Sequence, residues 1–188
     1  ANSDIFRCLP RFPEDHPRLF ELGDKRRPEG SLSIAEDIKD FEVSWDCFTE
    51  SQLRLLDWRN VFAAGGSVAA CLAPVPEEWR SSDWAEARKR RRKYFHDVGF
   101  PGSDVDLFVY GLNAEQGAKK LNEIYQAVKA ANPFEVTCIR STHAISIVSQ
   151  YPFRHVQIVL RLYNSPAEIL MGFDVDACAC GFDGKRVL

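Results

Sequence analysis

The alternation of apolar and polar residues predicts a series of short strands separated by helices. Residues 61–64 are all apolar, and residues 104–110 alternate so that Val105, Leu107 and Val109 share one face. Both segments are therefore predicted to be strands of a sheet. The same reasoning predicts four further strands, at residues 134–140, 144–149, 156–163 and 173–182.

Two helices are predicted from capping signals. Asn113 and Gln116 have the spacing of a capping box, and the apolar residues after them recur at helical intervals until Pro133. Thr49 and Gln52 repeat the spacing and predict a short helix that begins at residue 49.

The order of these elements predicts an α/β (α+β) fold, in which a mixed sheet is flanked by helices. Residues 1–48 contain four prolines and several aromatic side chains, which predicts an irregular segment packed on the body. Residues 49–188 then form the main domain. Residues 74–101 are polar, include six consecutive basic residues at 88–93, and are predicted to be an inserted basic loop.

Composition limits the classes of protein to which the chain can belong. The 188 residues carry a net charge of −3 and are 45% hydrophobic, which excludes wholesale disorder and a generally basic coat for nucleic acid. We expect no membrane partner, because no apolar run reaches the roughly 18 residues of a membrane helix. No signal-peptide pattern precedes the six cysteines, so we expect reduced thiols and an intracellular location, cytoplasmic or nuclear.

Carboxylates and glycines supply the candidate chemistry. Asp104 and Asp106 lie two positions apart on a predicted strand, so both project from one face, about 7 Å apart. Such a pair is either a solvated strand end or a site for a hard cation. Asp174 and Asp176 have the same spacing. A turn of Gly65, Gly66 and Ser67 between a predicted strand and helix would let a phosphate approach the backbone.

These motifs resemble the nucleotidyltransferase superfamily with the DNA polymerase β-like fold. The resemblance covers roughly residues 50–182 and rests on the segments at 61–67 and 102–108. It implies that the two glycines and Ser67 hold an incoming nucleoside triphosphate, while Asp104 and Asp106 bind Mg²⁺ or Mn²⁺ and act in catalysis. The stretch from 151 to 176 further resembles uncharacterised eukaryotic, often fungal, proteins with ankyrin repeats nearby. Other domains of a longer chain are therefore expected partners.

The third carboxylate of the family has two candidate positions. If the strand at 156–163 takes that place, it offers Gln157, and the metal site is defective. If the strand at 173–182 takes it, Asp176 is the expected third catalytic acid and metal ligand, with Asp174 as its substitute.

Three functions remain open at this point. The leading hypothesis is a metal-dependent nucleotidyltransferase that moves a nucleoside monophosphate from the triphosphate to a hydroxyl of RNA, protein or a small molecule. The second is a catalytically defective interaction or nucleotide-binding module. The third is a glycosyltransferase whose two aspartates hold the metal of a nucleotide sugar. The basic residues 88–93 are expected to bind phosphates of a nucleic acid, to act as a nuclear signal or to be merely solvated.

Overall fold

Six strands form one mixed sheet in the computed structural model, which describes residues 30–188. The strands are β1 (Val61–Ala64), β2 (Val105–Tyr110), β3 (Thr137–Arg140), β4 (Ala144–Val148), β5 (Val156–Tyr163) and β6 (Gly181–Phe182). Their order is β3-β4-β5-β2-β1-β6, and only the central pair, β2 and β5, is parallel. The predicted mixed sheet with flanking helices is therefore confirmed.

Helices cover the two faces of this sheet unequally. The described part of the chain contains five α-helices: α1 (Ile38–Thr49), α2 (Gly66–Leu72), α3 (Trp84–Lys93), α4 (Ala114–Ala131) and α5 (Pro166–Leu170). On one face, Val105, Leu107 and Val109 enter the main core together with residues of α1, α2 and α4. On the other face, a smaller cluster forms around Phe108 and Ile169 of α5. No helix within residues 30–188 is long and apolar enough to cross a membrane.

Several predictions from the sequence are confirmed. Strands β1, β2 and β5 lie where the apolar pattern predicted them, and α4 begins with the complete Asn113–Gln116 capping box. Strands β3 and β4 are present but shorter than predicted. The five cysteines within the described residues form no disulfide.

The prediction that a helix begins at residue 49 is wrong. Thr49 ends α1, and its hydroxyl donates to the Trp45 carbonyl one turn back at 2.8 Å. Glu50 and Ser51 then adopt left-handed backbone angles, with φ of 53° and 56°, and stop the helix. The irregular segment predicted for residues 1–48 thus contains a helix from Ile38, and its part before residue 30 lies outside the described residues.

Residues 74–101 are largely helical, which corrects the prediction of a basic loop. Asp83 caps α3 by accepting from the Glu86 N–H at 2.8 Å, and a π-helical turn, Tyr94–Gly99, follows. Phe95 in that turn is fully buried. The like charges are tolerated because three arginines of α3 pair with acids of α1 and of the residue after it: Arg88 with Asp46, Arg91 with Asp40, and Arg92 with Glu50.

A buried arginine joins the segments that flank the sheet. The Arg154 guanidinium lies 3.7 Å from the centroid of the Phe48 ring, and burial lowers its pKa to about 10. It donates to four backbone carbonyls at 2.7–2.8 Å, those of Phe48, Phe95, Phe100 and Ser103. One side chain therefore ties the end of α1, the π-helical turn and the approach to β2 to the start of β5.

Replacing this guanidinium should destabilise the protein strongly. Arg154→Lys keeps the positive charge, but an ammonium cannot reach four carbonyls, so buried acceptors lose their donors. We expect the free energy of unfolding to fall by about 3–5 kcal/mol in urea denaturation. Arg140→Lys on the exposed strand β3 is the matched control and should change it by less than about 0.5 kcal/mol. Equal effects of the two variants would contradict the role assigned to Arg154.

Candidate functional site

The turn after β1 has the backbone that only glycine adopts easily. Gly65 has φ of 89°, and its N–H donates to the Cys180 carbonyl at 3.0 Å. A Cβ atom at Gly65 would lie 3.0 Å from the Phe173 ring, whereas the space beside Gly66 is open. The first bond within α2 runs from the Ala69 N–H to the Gly65 carbonyl, so the N–H groups before Ala69 have no acceptor inside the helix.

Ser67 lies in the first turn of α2 and is buried. Its Oγ has no hydrogen-bond partner among the described residues. A buried hydroxyl without a partner is uncommon, because it loses water without gaining another bond. Ser67 is thus a polar group whose hydrogen bonding the described residues leave unsatisfied.

Asp106 lies on β2, the antiparallel neighbour of β1, and Asp104 directly precedes that strand. β1 and β2 are antiparallel, and their pairing ends with Ala63 opposite Leu107, one residue before Ala64 and one residue after Asp106. The glycine turn after Ala64 and Asp104 before Val105 therefore lie at the same end of this strand pair. Asp104 is exposed, whereas Asp106 is half-buried. Burial raises the pKa of Asp106, the negative charge of Asp104 raises it further, and a hydrogen bond from Gln157 opposes both effects.

Gln157 occupies the place next to these carboxylates. It pairs with Asp106 across the parallel strands β2 and β5, and its Nε2 donates to Asp106 Oδ1 at 2.9 Å. On its other side, Ser146 of β4 donates to Gln157 Oε1 at 3.5 Å. The strand next to β2 is therefore β5, one of the two candidate positions for a third acid. At that position it presents the amide of Gln157.

Asp174 and Asp176 do not lie on a strand, which corrects the prediction for residues 173–182. Cys178 and Ala179 donate their N–H groups to the carbonyls of Val175 and Asp176, forming a 3-10 turn. These local bonds use the backbone donors that a ladder would need, so only Gly181–Phe182 pairs with β1. Within residues 30–188, no three or more His, Cys, Asp or Glu side chains lie close enough together to hold a metal ion. The assignment of Asp174 and Asp176 as ligands stays a prediction.

The basic run offers less free charge than its sequence indicates. The Arg91 side chain is only 15% exposed and bonds to Asp40 and Ser44. Arg90 pairs with Glu86 along α3 itself. Much of the positive charge is thus neutralised locally, which weakens the expected footprint for nucleic acid.

Sequence reasoning missed two features of this region. Arg154 donates to backbone carbonyls, and no local pattern in the sequence predicts such a contact. Arg161 and Tyr163 face a cleft beside Phe108 on the same side of the sheet as Asp106. The period-two alternation of β5, which puts Gln157, Arg161 and Tyr163 on one face, could have revealed that cleft.

Neutralising Asp106 should stabilise the protein at neutral pH. A carboxyl whose pKa is raised by folding stabilises the fold below its ordinary pKa, and this contribution is lost as the pH rises through the folded value. Asp106→Asn should therefore raise the free energy of unfolding at pH 7 by about 0.5–2 kcal/mol and leave it unchanged near pH 3. Denaturant titrations at both pH values test this, with the exposed Glu135→Gln as control. A gain of equal size at both pH values would show that charge is not its cause.

Comparisons with known proteins identify the family. The Gabija anti-defense 2 family model matches residues 37–188. The chain is also 28% identical over 150 residues to an uncharacterised protein of Acanthamoeba polyphaga mimivirus, an alignment that covers 72% of this chain and 28% of the viral protein. The chain thus spans less than a third of the length of that relative. No solved structure matches the present chain significantly. Because the family model covers most of its length, the chain belongs to the Gabija anti-defense 2 family.

Proposed function

We propose that residues 37–188 form a nucleotidyltransferase-type domain that binds a nucleoside triphosphate with one divalent cation and does not transfer it efficiently. The observation that carries this proposal is that the glycine turn and the two aspartates lie at the same end of the antiparallel strands β1 and β2. A turn that exposes backbone N–H groups attracts phosphate, and a neighbouring pair of carboxylates attracts the cation that accompanies it.

The glycine turn supplies the phosphate-binding half of the site. The open space beside Gly66 admits a phosphate oxygen to the backbone, and the N–H groups at the start of α2 donate to it. The unpartnered Ser67 hydroxyl gains a partner if its side chain turns toward the bound phosphate. The bond from Gly65 to the Cys180 carbonyl holds the turn in place while this happens.

The carboxylates fit one cation but not two. Mg²⁺ in proteins is commonly held by one or two carboxylates together with substrate phosphates, and Asp104 and Asp106 meet that requirement. Two-metal transfer needs more shared oxygen ligands. Gln157 presents an amide to Asp106, where the nucleotidyltransferase superfamily is expected to have an acid. When bound, Mg²⁺ or Mn²⁺ would neutralise phosphate charge beside the two aspartates.

Efficient transfer to a hydroxyl of RNA, protein or a small molecule is the alternative. It requires Asp176 or Asp174 to approach Asp106 when substrate binds, because the strand beside β2 supplies no acid. Product formation that Asp176→Asn abolishes would favour this alternative. The glycosyltransferase hypothesis is weaker, because it assigns no role to the glycine turn.

Family membership adds a biological setting for this binding. The name of the family describes opposition to Gabija defence, and we propose that this domain opposes that defence by holding a nucleotide. Expression of wild type and Asp104→Asn in cells that carry Gabija would test this link. We expect the variant to lose its opposition to Gabija defence at an equal protein level. Equal opposition by the variant and the wild type would contradict the link.

Nucleotide binding should depend on the divalent cation. Two neighbouring carboxylates repel a triphosphate until a cation is present, so calorimetric titration should detect binding with Mg²⁺ and little without it. Asp104→Asn should lower the affinity at least tenfold with Mg²⁺ by removing a ligand. Glu135→Gln, which neutralises an exposed carboxylate outside the site, should not change the affinity. Binding that is independent of the metal, or no binding by the wild type, would refute the proposal.

Ser67→Ala should have opposite effects on stability and on binding. Removing a buried hydroxyl without a partner should raise the free energy of unfolding of the ligand-free protein by about 1 kcal/mol. The same change should weaken triphosphate binding by about 1–2 kcal/mol, the loss of one hydrogen bond to a charged group. Thermal melts with and without nucleotide measure both. Unchanged affinity would mean that the backbone alone holds the phosphate.

A further inference from the structure

An aromatic cleft opens beside the candidate phosphate site. It has a volume of about 460 Å³ and lies on the face of the sheet that carries Asp106. The rings of Tyr163 and Phe173 both meet that of Phe108 edge-to-face, at centroid distances of 5.7 and 6.1 Å. Its size falls in the range of small-molecule sites, and an apolar floor with a few polar groups is typical of them.

The cleft and the glycine turn share a neighbour, Phe173. Phe173, one of its walls, is the residue that a side chain at Gly65 would meet. Phe108, which forms its floor, is two residues beyond Asp106 on the same face of β2, about 7 Å along the strand. A ligand whose phosphates lie at the turn therefore has its next groups directed at the aromatic rings.

A bulge in β5 lies opposite Phe108. Leu107 pairs with Ile158 and Val109 pairs with Leu162, so β5 contains two more residues than β2 opposite Phe108. Arg161 belongs to this bulge, and its guanidinium lies 4.8 Å from the centroid of the Tyr163 ring. Bulges that re-aim side chains are frequent next to functional sites.

The rim of the cleft carries polar groups of both kinds. Arg161 offers N–H donors, and its side chain is 65% exposed. Glu168 Oε2 accepts from the N–H and the amide of Asn164, at 2.7 and 2.8 Å, whereas Oε1 has only a long 3.4 Å contact with Arg161. Oε1 thus remains able to accept a hydrogen bond from a ligand.

We propose that this cleft binds the base of the nucleoside triphosphate, an inference that rests on the proposed nucleotide site. The aromatic rings supply faces and edges for a flat heterocycle, Arg161 donates to its carbonyl or ring nitrogen, and Glu168 accepts from its N–H or amino group. The sugar bridges the distance between the cleft and the turn. A phosphate chain without a base would leave the cleft empty.

The test compares a nucleoside triphosphate with inorganic tripolyphosphate, both in Mg²⁺. The wild type should bind the tightest of the four common triphosphates roughly tenfold or more tightly than tripolyphosphate, the usual effect of stacking one base. Tyr163→Leu removes a ring, and Met171→Glu adds a charge at a rim position that is 86% exposed. Each should lower triphosphate affinity roughly tenfold and leave tripolyphosphate affinity unchanged.

A matched control separates the outcomes. Leu55→Glu adds the same charge at an exposed apolar residue outside the cleft and should change neither affinity. Equal wild-type affinity for both ligands, or no selective loss in Met171→Glu, would overturn the base-binding cleft while leaving the phosphate site intact. Binding of neither ligand by the wild type would overturn the proposed nucleotide site, and the cleft assignment with it.

Discussion

The buried guanidinium of Arg154 is the interaction on which the arrangement of this domain depends. It has no carboxylate partner within hydrogen-bonding distance among the described residues, and its charge is stabilised by four backbone carbonyls and the face of Phe48. Those carbonyls belong to two stretches that are distant in sequence, at Phe48 and at residues 95–103, so a single side chain sets their spacing. Burying the charge lowers the pKa of Arg154, which shows the cost of desolvation that these bonds must offset.

This connection reaches the candidate site in two steps. The Ser103 carbonyl bonded to Arg154 immediately precedes Asp104, and Arg154 is three residues before Gln157 on the way into β5. The strand that carries the carboxylates and the strand that carries the amide are therefore fixed to each other outside the sheet as well as within it. The bond between Gln157 and Asp106 is a consequence of that register, so an amide beside Asp106 is built into the fold.

The sequence predicted the parts of the fold that depend on local patterning. Alternation located β2 and β5, and the capping box located the start of α4, because both signals act within a few residues. The capping-box spacing at Thr49 misled, since that hydroxyl bonds back into α1, and left-handed residues follow it. Contacts between residues distant in sequence decided the remaining points. Acids of α1 pair with arginines of α3, and the order of the strands places Gln157 beside Asp106.

The bulge in β5 also limits how the length of this strand can vary beside the aromatic cleft. Its two extra residues preserve the alternation of faces, so Leu162 still lies toward α4 and Tyr163 still lies toward the cleft. A single-residue insertion or deletion there would exchange those faces and place the tyrosine against the helix. Variation between relatives at this point should therefore proceed in steps of two residues, and an alignment that shows an odd gap there would imply a different pairing of the two central strands.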